Sequence, residues 1–147
     1  MRRYIIDASV VAKWHFQEDL SERAAALLLL ARAGECEIAA PDLVVYEFGS
    51  IVLKKLRAGL VTFEDGADIL SRLPLAPLGL LPAVEVIPSA LELAEATGAT
   101  FYDAVYLATA AATGATLVTA DRELVEQVKP TALADSVLNL AQLEPDI

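Results

Sequence analysis

Cysteine, histidine, tryptophan and methionine each occur once in these 147 residues. A single cysteine, Cys36, forms no internal disulfide, so a reducing compartment suits the chain. A single histidine, His15, excludes acid–base work by a histidine pair. Positive charge is also scarce, with 11 Lys and Arg against 21 Asp and Glu, a formal net charge of -10. That balance argues against a nucleic acid held by broad electrostatic attraction. It leaves room for an enzyme that touches a few phosphates through bound cations, and it suits a basic protein partner. Long apolar runs are missing as well. After Arg2 and Arg3 only Tyr4, Ile5 and Ile6 follow before an aspartate, too short a run for a signal peptide. The stretch 24–31 is bracketed by Arg23 and Arg32 and falls short of the roughly 20 residues that a membrane span needs. The expectation is a cytoplasmic protein with no membrane segment.

What is abundant is apolar side chain, 56% of the residues, with a mean hydropathy of +0.50. A chain of this length makes one domain over 1–147 with a real core. The apolar excess predicts surface that is covered in the cell, by a second copy of the chain or by a partner.

Tyr4-Ile5-Ile6-Asp7-Ala8-Ser9 reads as a first strand, 4–9, buried on both faces of a parallel sheet. Ser9 is the expected cap of a short helix over 9–15. A long helix follows over 20–33, then a strand over 37–40. Asp42 is the expected cap of a helix to about residue 58, and Thr62 of one over 63–73. The segment 74–82 is rich in proline and reads as a loop. A strand is expected over 83–87, then a helix with Pro88 in its first turn. Another helix runs from Thr100 to Gly114. Thr116-Leu117-Val118-Thr119 reads as a strand, 121–128 as a helix, 131–134 as a last edge strand, and 135–143 as terminal helical turns before a frayed tail. Short strands alternating with helices predict an α/β fold: one domain with a parallel central sheet of four to five strands, covered by helices on both faces.

Ligands in such sheets bind beyond the carboxyl ends of the strands. Asp7 ends the first strand there, and Asp121 follows the strand at 116–119 through one alanine. Glu47 lies one turn inside the helix that starts at the same edge, bordering its apolar face. Asp103 opens the helix that runs back down to residue 116, so it begins on the Asp7 side. Two carboxylates about 4 Å apart repel by roughly 4 kcal/mol at an effective dielectric of 20. Some must take up protons, or a cation must sit among them. Oxygen donors without cysteine or histidine select Mg²⁺ or Mn²⁺. Three of the acids also have a plain alternative: a cap at Asp121, a capping box at Asp103 and an Asx turn at Asp7. Glu47 is the hardest to explain plainly, since it interrupts an apolar stripe and caps nothing.

Ser9 and Thr119 each stand two residues from a key aspartate, placed either to orient carboxylates or to cap. Tyr102 and Tyr106 lie a helical turn apart and read as packing side chains in preference to a stack for nucleotides. Lys13, Lys54 and Arg122 are the candidates for phosphate contacts.

Asp7-Ala8-Ser9, Tyr46-Glu47-Phe48, Phe101-Tyr102-Asp103-Ala104 with Tyr106-Leu107-Ala108, and Thr119-Ala120-Asp121 together resemble a PIN domain, most closely the VapC-like toxins of prokaryotic toxin–antitoxin pairs. The resemblance covers nearly the whole chain. It implies an RNA endonuclease dependent on Mg²⁺ or Mn²⁺, with Asp7, Glu47, Asp103 and Asp121 as catalytic and metal-holding residues. It also implies products with a 5′-phosphate and a 3′-hydroxyl, a homodimer, and inhibition by a cognate antitoxin inserted near the acids. Two alternatives remain on the residues alone: a non-catalytic PIN-like binding module, or a phosphoryl-transfer domain of receiver or phosphatase type. A phosphatase of the haloacid dehalogenase type wants a second aspartate where Ser9 stands, and a receiver wants an acid beside Asp7.

Overall fold

The structure is a computed structural model that describes residues 1–144. Five parallel strands form one sheet: β1 (Arg2–Ile6), β2 (Cys36–Pro41), β3 (Leu78–Leu81), β4 (Thr116–Thr119) and β5 (Val137–Asn139). Their spatial order is β3-β2-β1-β4-β5. Seven α-helices connect them: α1 (Ala8–His15), α2 (Ser21–Arg32), α3 (Leu43–Arg57), α4 (Phe63–Arg72), α5 (Ile87–Thr97), α6 (Phe101–Thr113) and α7 (Arg122–Val128). The chain winds outward from β1 through β2 to β3, then returns to β4 and β5. Right-handed crossovers in those two directions place helices on opposite faces. The expected fold class is therefore the observed one. A receiver domain has the order 2-1-3-4-5, so the topology removes that alternative.

Burial follows position in the sheet. Ile5 and Ile6 of the central strand are shielded completely, as are Leu117 and Val118 beside them. Helix α6 is buried along Ala104 to Ala110 and contacts α5, β1, β2 and β4. A helix apolar on every side is one packed on every side, and its alanines allow the close approach. Thr100 caps its start by accepting from the Asp103 N–H, and Gly114, at φ +67°, closes its end in the left-handed region.

Several local expectations are corrected. Strand β1 stops at Ile6. Asp7, not Ser9, caps α1, its Oδ1 accepting from the Ser9 and Val10 N–H groups at 3.1 and 3.4 Å. Asp42 makes no side-chain cap to α3 and instead accepts from the Ala83 N–H at 3.1 Å. The segment 74–82 is no plain loop: a 3₁₀ turn, Leu73–Leu75, leads into β3. Pro74, Pro77 and Pro82 all fall outside Leu78–Leu81, so every N–H of that edge strand is intact. Of the leucines there, Leu73 is buried and Leu75 and Leu80 are exposed. The expected strand 83–87 is a 3₁₀ turn, Ala83–Val86, between two prolines. The last strand is Val137–Asn139, not 131–134. Thr131 folds that earlier segment into a turn, donating to the Val128 carbonyl and accepting from the Leu133 N–H. The expected terminal helix is two 3₁₀ turns flanking β5, and the last three residues of the expected tail lie outside the described residues. No helix among the described residues is long and apolar enough to cross a membrane.

Candidate metal and catalytic site

The crossover directions diverge between β1 and β4, which opens a crevice at their carboxyl ends. Asp7 follows β1 and Asp121 follows β4, so both stand at that crevice. Helix α3 contributes Glu47 and α6 contributes Asp103. All four acids line one cavity of about 570 Å³, together with Ser9, Ser50 and three tyrosines.

Asp7 is the buried member. Ser9 Oγ donates to Oδ1 and Thr119 Oγ1 donates to Oδ2, each at 2.5 Å. The same hydroxyls accept backbone N–H groups, from Ala120 at 3.2 Å and Asp121 at 3.0 Å. Two hydroxyls thus tie the Asp7 carboxylate to the turn after β4. Burial dominates its acidity and lifts its pKa to about 6, against the lowering effect of those hydrogen bonds. Asp103 adds a smaller repulsion.

Glu47 is held by Tyr106, whose hydroxyl donates to Oε1 at 2.6 Å. Its pKa is raised, mainly by burial and further by Asp103, while the Tyr106 hydrogen bond pulls it down. The Tyr106 hydroxyl is itself made less acidic by its burial and by Glu47. Asp103 is raised by burial, with Thr100 lowering and the charges of Asp121 and Glu123 raising. Asp121 caps α7 as the plain alternative expects, Oδ1 accepting from the Glu123 and Leu124 N–H groups at 2.9 and 3.3 Å. It also lines the cavity, so capping and facing the site are compatible roles.

The donor set fits a hard divalent cation. It is all oxygen, the charge of Asp103 raises Asp7 and Glu47 while that of Asp121 raises Asp103, and no lysine or arginine among the described residues is ion-paired with any of the four. Among the described residues, no three His, Cys, Asp or Glu side chains stand close enough together to hold a metal ion by themselves. Mg²⁺ keeps several waters and uses one or two carboxylates in place of an all-protein cage.

The phosphate-contact candidates separate. Lys13 and Lys54 line a neighbouring cavity of about 400 Å³ that shares Ser9 and Ile51 with the acid cavity. Lys13 is committed to Glu18 at 3.6 Å. Arg122 is exposed and lines neither cavity. Two residues at the site have roles that the sequence pattern conceals. Tyr106 reads as packing alone, because its helical spacing from Tyr102 hides a hydroxyl aimed at Glu47. Glu123, two residues beyond Asp121, adds negative charge near Asp103.

Acids gathered at the switch point of an α/β sheet do not by themselves single out one family, and comparison narrows the choice. The PIN domain profile matches residues 4–129. Ribonuclease VapC3 of Pyrobaculum aerophilum is 32% identical over 127 residues, covering 85% of this chain and 94% of that protein. Exonuclease VapC9 of the same organism is 33% identical over 105 residues, 69% of this chain and 75% of that one. The crystal structure of PAE2754, also from Pyrobaculum aerophilum, superposes with a TM-score of 0.66 at 27% identity, covering 95% of this chain and 85% of that one. At 19% identity, VapBC2 from Rickettsia felis, solved bound to a promoter DNA fragment, shares the fold with a TM-score of 0.65, over 93% of this chain and 98% of that one. This chain is a member of the PIN domain family, on its VapC-like side.

Proposed function

We propose that the chain is a metal-dependent RNA endonuclease and the toxin of a toxin–antitoxin pair. The observation that carries this reading is the convergence of Asp7, Glu47, Asp103 and Asp121 on one cavity whose lining residues include no lysine or arginine. The names of the VapC3 and VapC9 relatives support a nuclease. Neighbours of the same fold solved as toxin–antitoxin complexes support an antitoxin partner.

Asp7, Asp103 and Asp121 would hold Mg²⁺ or Mn²⁺, with Glu47 completing the site directly or through water. The ion, when bound, neutralises charge on the phosphoryl oxygens and makes water more acidic. Ser9 and Thr119 fix both oxygens of Asp7, so that carboxylate is oriented before any ligand arrives. Tyr106 fixes Oε1 of Glu47, and the remaining oxygen positions the attacking water. Burial strengthens Glu47 as a base for that water's proton. Attack on phosphorus breaks the bond to the ribose 3′ oxygen, which leaves as a hydroxyl, while the phosphate stays on the 5′ side of the next nucleotide.

In this reading the protein acts in the cytoplasm as a homodimer, and the exposed Leu75, Leu80, Val84 and Leu91 are surface for a second copy or for the antitoxin. An antitoxin arginine or lysine among the acids would compete with the metal. The direct test is a circular RNA substrate, which only an endonuclease opens. Cleavage should require Mg²⁺ or Mn²⁺, stop in chelator and resume when the ion is restored. Undiminished cleavage in chelator would overturn the mechanism. Either ion should also raise the melting temperature of the RNA-free protein. Asp7→Asn, Asp103→Asn and Asp121→Asn should each shrink that rise, and an unchanged rise in all three would place the ion elsewhere.

A further inference from the structure

Two tyrosines at the rim of the acid cavity are left without a role by the proposed chemistry. Tyr46 on α3 is 74% exposed and Tyr102 on α6 is 63% exposed. Each immediately precedes a cavity acid, Glu47 or Asp103, and both line the cavity. Large aromatic rings gain from burial, so their exposure on two helices that line one cavity is unexplained by packing.

The same face of α3 leads away from the acids. Glu47, Ser50, Ile51 and Lys54 follow one another at three- and four-residue spacing, so they share one face. Lys54 is about 10 Å along the axis from Glu47, at 1.5 Å per residue. It opens into the lysine-lined cavity that shares Ser9 and Ile51 with the acid site. Lys54 makes no ion pair among the described residues, unlike Lys13 and Lys55, which both face Glu18.

A polymer with one phosphate at the acids must lay its neighbouring nucleotides across this rim. At a net charge of -10 the chain has no broad basic field to hold them. Stacking is the recognition left, since it needs no net charge and accepts any base. We propose that Tyr46 and Tyr102 form a stacking gate for two unpaired bases of single-stranded RNA, one on each side of the reacting phosphate, with Lys54 on a flanking phosphate. This rests on the ribonuclease reading and assigns to two side chains of this chain the contacts with bases that are free to stack.

The test measures binding of a fluorescent single-stranded RNA by anisotropy in chelator, and its cleavage in Mg²⁺. Tyr46→Ala and Tyr102→Ala should each weaken binding and raise KM about tenfold or more. Tyr46→Phe and Tyr102→Phe, which keep the ring, should stay within about twofold of wild type. The salt dependence should be shallow, a log–log slope of about -1 for one or two phosphate contacts, and Lys54→Ala should flatten it further. Alanine variants that bind and cleave like wild type overturn the gate while leaving the ribonuclease reading intact. Equal losses in the phenylalanine variants, or equal cleavage of duplex RNA, also overturn it. A wild-type chain that neither binds nor cleaves RNA overturns the reading beneath it. Alanine variants that alter only self-association or antitoxin binding would assign the two rings to a protein interface instead.

Discussion

The two ends of the sheet treat charge in opposite ways. At the amino end, Arg3 on β1 meets Glu37 on β2 at 2.7 Å, both side chains more than half exposed. A cavity of about 680 Å³ there is lined by Arg2, Arg3 and Glu37, among others. At the carboxyl end the cavity is smaller, about 570 Å³, yet it gathers four carboxylates with no matching cation among its lining residues. Volume therefore does not separate the ends. Electrostatic balance does. Opposite charges paired in water contribute little and ask for nothing further. Like charges brought together and partly buried raise one another's proton affinity, and such strain is retained where a ligand relieves it.

The strongest way to break this contrast is to neutralise one charge at each end. Glu47→Gln keeps the shape of the side chain and the Tyr106 contact but removes a base, so RNA cleavage should fall by at least about a hundredfold while the fold survives. Full activity in the purified variant would mean that the carboxyl end is not the reacting end.

The next effect concerns stability and pH. Asp7 ionises near pH 6 in the folded chain, against an ordinary value of 3.8. Between those values the folded state binds more protons than the unfolded one, so stability must fall as pH rises from about 4 to about 6. A difference of that size corresponds to about 3 kcal/mol. Glu47 and Asp103 are also raised and act in the same direction. Denaturant melts in chelator should show that loss, Asp7→Asn should reduce it, and Mg²⁺ should offset it above pH 6. A wild-type chain that gains stability over that range would contradict the placement of Asp7.

Tyr106→Phe should be milder. It leaves Oε1 of a half-buried carboxylate without its donor, which costs about 1–2 kcal/mol of stability. Cleavage should drop mainly in kcat, because Glu47 loses its orientation and not its charge. A change confined to stability would make Tyr106 a packing residue after all.

The smallest effect is expected at the amino end. Arg3→Gln should change stability by less than about 1 kcal/mol and leave cleavage unaltered. A large loss of cleavage in that variant would erase the distinction between the ends.

Much of the site is legible without any fold, and for a local reason. Asp7 ends an apolar run, Asp121 closely follows one, Asp103 opens a helix with Thr100 as its cap, and Glu47 breaks an apolar stripe. Each is a departure from a short-range pattern, and alternation of strands and helices places all four at one edge. Expectation and structure part where local pattern is ambiguous. Val84-Glu85-Val86 alternates like a strand but turns between two prolines. Leu78-Gly79-Leu80-Leu81 lies among prolines like a loop but pairs with β2. The Thr131 turn resembles the strand that in fact comes six residues later.

The sequence by itself determined the α/β alternation, the apolar helix α6 and which four acids fall at one edge of the sheet, because residue type and spacing encode which face of an element is buried. Only the tertiary structure decided which elements are neighbours. Tyr106 reaches Glu47 across 59 residues, and Thr119 reaches Asp7 across 112. No local pattern records such a pairing. It arises when the sheet order β3-β2-β1-β4-β5 sets β4 against β1 and packs α6 over β1, β2 and β4, so that hydroxyls chosen by one element meet carboxylates carried by another.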